Sequence, residues 1–189
     1  MLLSSGSCAA LARGLLGALL VFSHGAPAPG TPLPWKRIEM MAERDGLHAG
    51  ESMGVGVKAS LARGFHVNSH LPSAEYLIPT SVEILSLDGL QSGDWKYPEG
   101  ETKRFPFSEE PLKVYEGTFL IHGTLTAPAD APPSPRQVRV ALRYQACTAE
   151  RCYPPKKEEV ILNVRVVSAE SATRPLHPEL FSTPPFSPP

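Results

Sequence analysis

The sequence predicts an all-β domain made of two packed antiparallel sheets. Apolar residues recur at every second position in four separate rows, turn signals fall between the rows, and past the leader only one short segment admits a helical reading. Strict alternation marks half-buried strands, because successive strand side chains point to opposite faces.

The elements follow in chain order. Arg13 precedes an apolar run from Leu15 to Phe22, and small residues stand at Ser23 and Gly25, so residues 1–25 read as an export signal cut before Ala26. A membrane span needs about 20 apolar residues, so the run is too short for one; no other stretch approaches that length, and stable membrane insertion is not expected. The chain has 21 prolines, where average usage is about 5%. They crowd into residues 26–36, 128–135 and 174–189. Residues 26–35 accordingly read as a Pro-rich linker, the folded domain as 36–168, and 169–189 as a disordered Pro-rich tail. Trp35, Ile38 and Met41 stand near helical spacing, and residues 35–44 are left open between helix and strand. Val55, Val57, Ala59 and Leu61 form the first alternating row. Phe119, Ile121 and Leu125 form the second, Val138, Val140, Leu142 and Tyr144 the third, and Val160, Leu162, Val164 and Val166 the last. Asp88-Gly89, Ser92-Gly93-Asp94, Pro98-Glu99-Gly100 and Glu116-Gly117 supply turns between them.

Charge and motifs exclude several function classes. A net charge of −1 with scattered basic residues gives no footprint for nucleic acid or an anionic membrane. No Gly-x-Ser-x-Gly elbow holds a nucleophile, and no Gly-rich loop offers a phosphate cradle. His48, His66, His70 and His122, with Met53, lack the tight spacing of a metal site, so neither metal nor cofactor is expected. A strand-end hydrogen bond is expected for His66 and loop exposure for His70. Trp95, Tyr97 and Tyr76 read as core or rim packing.

The densest chemical signal is the stretch from Tyr144 to Pro155, which runs Tyr-Gln-Ala-Cys-Thr-Ala-Glu-Arg-Cys-Tyr-Pro-Pro between the last two rows. With Cys8 leaving in the signal, Cys147 and Cys152 remain, and two cysteines so close in an exported protein predict a local disulfide at one end of a β-hairpin. Closing so short a ring stabilises the fold by only about 2 kcal/mol in the chain-entropy model. A short ring at a connection is also open to attack by another thiolate. Arg151 favours a neighbouring thiolate and Glu150 opposes it, so spacing alone leaves an inert staple and an exchange pair both open, the inert staple being the commoner case.

This stretch resembles the signature of the periplasmic amino-terminal domain of the thiol:disulfide interchange protein DsbD, in which Tyr-Gln-x-Cys leads to Cys-Tyr-Pro-Pro. Gly64-Phe65-His66-Val67-Asn68-Ser69 followed by Pro72, Glu75-Tyr76-Leu77-Ile78-Pro79-Thr80, and Lys113-Val114-Tyr115-Glu116-Gly117 also look like that family's framework, so the likeness spans about residues 50–167. The resemblance implies an immunoglobulin-like antiparallel β-sandwich in the bacterial periplasm. It further implies exchange with thioredoxin-like or DsbD-type redox proteins and with periplasmic disulfide proteins. Cys147 and Cys152 take the place of the redox pair, with Tyr144, Gln145, Tyr153 and Pro154 as neighbours. Phe105-Pro106-Phe107 is the counterpart of the aromatic-tipped loop that covers the pair, and Glu109 and Glu110 either fill the role of the acidic pair near the disulfide or are simply solvated. Two departures go with it: the chain has no transmembrane electron-conducting region and no thioredoxin-like domain. The alternative function is a non-catalytic envelope immunoglobulin-like binding or structural domain whose disulfide is inert.

Overall fold

The computed structural model describes residues 33–181. The expected signal, most of the linker and residues 182–189 of the tail lie outside the described residues. The strands are β1 (Trp35–Ala42), β2 (Leu47–His48), β3 (Ser52–Leu61), β4 (His66–Asn68), β5 (Ser81–Ser86), β6 (Gln91–Ser92), β7 (Glu101–Lys103), β8 (Leu112–Glu116), β9 (Thr118–Thr126), β10 (Ser134–Tyr144), β11 (Ala146–Cys147) and β12 (Lys156–Val167), with one helical turn, α1 (Pro178–Phe181). All four alternating rows lie in strands, β3, β9, β10 and β12.

Two four-stranded sheets, ordered β1-β3-β9-β6 and β2-β12-β10-β5, bring their inward rows into one buried cluster. Met40, Val55, Val57 and Ile121 come from one sheet, and Val138, Val140, Leu142 and Val164 from the other. Each fully buried Val, Leu or Ile stabilises such a core by about 1.5–3 kcal/mol. Among the described residues almost every strand pair is antiparallel; there β2 alone runs parallel to its neighbour, pairing Leu47 with Val166 and His48 with Val167. This is an immunoglobulin-like β-sandwich.

The segment left open between helix and strand is β1. Its register slips between Trp35 and Arg37. A bulge adds one residue to one side of a ladder, so Trp35 and Ile38, three apart, both pack on the core, and Met40 and Ala42 continue at period two. A bulged strand thereby imitated helical spacing.

A third, smaller sheet, ordered β11-β4-β8-β7, shares its chain with the sandwich. β3 passes to β4 across Gly64, β8 passes to β9 across Gly117, and β10 passes to β11 across Gln145. The two glycines sit at φ of 86° and 61°, a conformation that other residues adopt only with strain. Val67, Tyr115 and Ala146 point from the small sheet into the main core. Its opposite face is covered by a second cluster of Leu77, Leu112 and Val114, with Ala74 and Phe105 packed against it.

The ordered domain extends past its expected end. Residues 169–181, read from the sequence as disordered tail, lie along the β1–β2 connection and β2. The Leu176 N–H donates to Glu43 O, the Asp45 carboxylate accepts from the Arg174 N–H, His48 Nε2 meets Ser171 O at 2.9 Å, and Phe181 is buried. Proline-rich composition signals little helix or strand, but it does not forbid a segment pinned by specific hydrogen bonds.

Candidate functional site

The β10–β12 hairpin is paired without a break from Ser134↔Val166 to Tyr144↔Lys156. It presents the loop that follows Tyr144 at the end of the small sheet. Tyr144 itself faces the sandwich core, edge-on to Trp35 with ring centroids 4.8 Å apart, and its hydroxyl donates to Glu158. Burial pushes its phenol up to about 12, so it stays protonated and anchors the hairpin from behind. Gln145 is the joint: its Nε2 donates to Tyr153 O, and its Oε1 accepts from Asn68 Nδ2, which also donates to Ile78 O.

Beyond that joint, Cys147 and Cys152 are joined as a disulfide. The turn inside the ring is closed by the Thr148 N–H donating to Arg151 O, and the Tyr153 N–H donates to Ala146 O just outside it. The two halves of the bond differ sharply: Cys147 is 0% exposed, whereas Cys152 lies on the surface. Arg151 lies over the Tyr153 ring at 5.1 Å, and Tyr153 packs near Phe65. Pro154 and Pro155 are exposed and close the loop before β12.

Cys147 belongs to a row of directly opposed residues, Cys147↔His66 between β11 and β4 and His66↔Glu116 between β4 and β8. Opposed residues of antiparallel strands share a face, so Cys147, His66 and Glu116 line the outer side of the small sheet. Phe105 stacks on the His66 ring with centroids 4.0 Å apart, and the exposed Phe107 stacks on Phe105 at 5.4 Å. Glu116 is ion-paired with Lys103, which also reaches Glu101. A recess of about 420 Å³ opens here, lined by Phe65, His66, Phe105, Glu116 and Ala149 among others.

Other expectations need correction. The His66 side chain makes no strand-end hydrogen bond; the ring is buried, its Nε2 has no partner, and burial holds its pKa down to about 4. His70 is not loose in a loop, since it stacks on Tyr97 at 3.6 Å and its Nδ1 meets Thr80 O at 3.1 Å. Trp95 and Tyr97 do pack against the core, but Tyr76 is 77% exposed. Glu109 and Glu110 are exposed, and the carboxylate in line with the disulfide is Glu116. In the sequence neither His66 nor Glu116 stands out as a neighbour of the disulfide, because nothing local to either residue reveals which strand lies beside it.

The fold and site define a β-sandwich whose disulfide has one buried and one exposed half. Residues 41–163 match the family described as thiol:disulfide interchange protein DsbD, N-terminal, and the chain belongs to that family. No curated protein matches the sequence. Among solved structures, the Neisseria meningitidis DsbD N-terminal domain in the reduced form is 21% identical, with 73% of this chain and 88% of that chain aligned and a TM-score of 0.42. The N-terminal periplasmic domain of ScsB from Proteus mirabilis is 13% identical, with 65% of this chain and 44% of that chain aligned and a TM-score of 0.46. A complex between the DsbD N-terminal and PilB N-terminal domains of Neisseria meningitidis matches at 23% identity, 65% of this chain, 80% of that chain and a TM-score of 0.38. Among the described residues, no helix is long and apolar enough to cross a membrane.

Proposed function

We propose that this chain is an exported thiol:disulfide interchange module of the bacterial periplasm, which passes electron pairs between partner proteins through Cys147 and Cys152. The observation that carries the reading is the asymmetry of the bond, exposed at Cys152 and buried at Cys147, in a member of this family. A dithiol partner's thiolate attacks the accessible Cys152 sulfur. A partner–Cys152 bond forms, the Cys147–Cys152 bond breaks, and Cys147 leaves as thiolate. The partner's second thiol, deprotonated, then attacks its own sulfur in the mixed disulfide, which closes the partner's disulfide and releases Cys152 as thiolate. Two electrons have moved onto this chain, and the two protons given up by the partner reach Cys147 and Cys152 through solvent. The same steps in reverse reduce a client: Cys152 makes the mixed disulfide and Cys147 resolves it.

Thioredoxin-like or DsbD-type redox proteins and periplasmic disulfide proteins are the two kinds of partner this chemistry needs. Phe105 and Phe107 serve as the cover over the site, and a docking partner displaces them. Glutathione-buffer equilibration followed by thiol counting tests the proposal. A potential above about −300 mV is expected of an exchanging pair, since structural disulfides lie below that value. Cys147→Ser should trap a mixed disulfide through Cys152. A bond that stays closed against thioredoxin-strength dithiols would leave a domain cross-linked by an inert staple.

A further inference from the structure

The exchange steps leave one buried group beside the disulfide unused. His66 stands directly opposite Cys147, at a position where Cβ atoms of opposed residues lie about 4.5–5.5 Å apart. Its ring is 2% exposed, and its Nε2 has no hydrogen-bond partner while the disulfide is closed. Leaving a buried polar nitrogen unpaired is costly. On its other flank Glu116 is engaged by Lys103, which also holds Glu101, and the covering segment presents the apolar Phe105 ring. Because burial keeps the imidazole neutral at physiological pH, it carries one N–H and one acceptor nitrogen.

Attack at Cys152 delivers negative charge to the buried partner sulfur. A thiolate taken out of water requires a donor within reach. We propose, building on the exchange reading above, that the His66 imidazole N–H donates a hydrogen bond to the Cys147 sulfur as that sulfur leaves, holding the nascent thiolate in a site screened from water by Phe105. The Cys147–Cys152 bond breaks with its electron pair on Cys147, the reductant is the partner dithiol, and the proton of the hydrogen bond stays on the His66 nitrogen. The unpaired nitrogen of the oxidised state thus gains its partner only when the bond opens.

The test compares wild type, His66→Phe and His66→Gln, all in the full chain, with dithiothreitol as reductant. Reduction of His66→Phe should be about tenfold slower across pH 6–8. In a Cys152→Ser background, its Cys147 thiol should titrate about one unit higher than with His66 present. His66→Gln, which restores an N–H donor, should recover part of both. Neither readout should follow thermal stability. Imidazole nitrogen shifts of wild type, recorded oxidised and reduced, should show a hydrogen bond that appears on reduction. Equal rates and equal Cys147 titration in all three proteins would overturn the proposal, as would imidazole shifts that ignore redox state. If His66→Phe does not fold, His66→Gln and the wild-type shifts still decide. A wild type that no dithiol can reduce would sink the exchange reading itself, an outcome distinguishable because it appears before any substitution.

Discussion

The sandwich and the small sheet bury their side chains to different ends. Between the large sheets the buried rows are almost wholly aliphatic, Val55, Val57 and Ile121 against Val138, Val140 and Leu142. On the outer face of the small sheet the buried residues include His66, Asn68 and a half-cystine. An aliphatic core gains free energy in proportion to area and has nothing to react with. A polar group in a dry place gains little stability, but its protonation and bonding respond strongly to a nearby change of charge. The difference teaches where this domain keeps its stability and where it keeps its chemistry.

Substitutions should separate the two. Leu142→Ala, deep in the sandwich, should destabilise by about 3 kcal/mol, within the usual range for buried Leu→Ala changes. Urea denaturation would measure it, and the rate at which dithiothreitol opens the disulfide in the folded fraction should not change. A matching loss of that rate would mean the regions are not independent. Reducing the disulfide, or replacing both cysteines with Ser, should cost about 2 kcal/mol by loop-closure entropy, because the ring encloses only the turn from Thr148 to Arg151. Near-ultraviolet circular dichroism should show the sandwich intact, and its collapse would make the bond a structural pillar.

The smallest effect is pH dependence from His66. Its folded pKa, about 4, lies below the ordinary 6.5, so between these values the unfolded chain binds more protons. Stability should therefore fall as pH drops from about 6.5 toward 4. The contribution should be on the order of 1–2 kcal/mol, and it should appear as the pH-dependent part of the stability difference between wild type and His66→Phe. Burial also lowers the pKa of His122, which adds a slope of the same sign common to both proteins. Parallel stability curves for the two proteins over this range would show that His66 is not held neutral.

How much of this could be read from the sequence follows the same division. Val138, Val140, Leu142 and their counterparts announce themselves, since alternation is local and the pleat enforces it. Cys147 and Cys152 stand out by spacing, and Phe105 and Phe107 by family likeness. The Trp35 bulge was ambiguous because an extra residue in a strand changes the apparent period. His66 became part of the site only through its register with Cys147, a pairing between segments about eighty residues apart. Residues 169–181 gave no periodic signal because single contacts such as Asp45 with Arg174, rather than a repeated pattern, hold them.

That returning segment also determines where the protein can be shortened. A version ending near residue 168 would strip the acceptor from His48 and the partner from Asp45, and it would remove the Thr173 methyl that packs above Gly46. The final stretch works as a clasp over the sheet edge, and recombinant versions should carry it through Phe181.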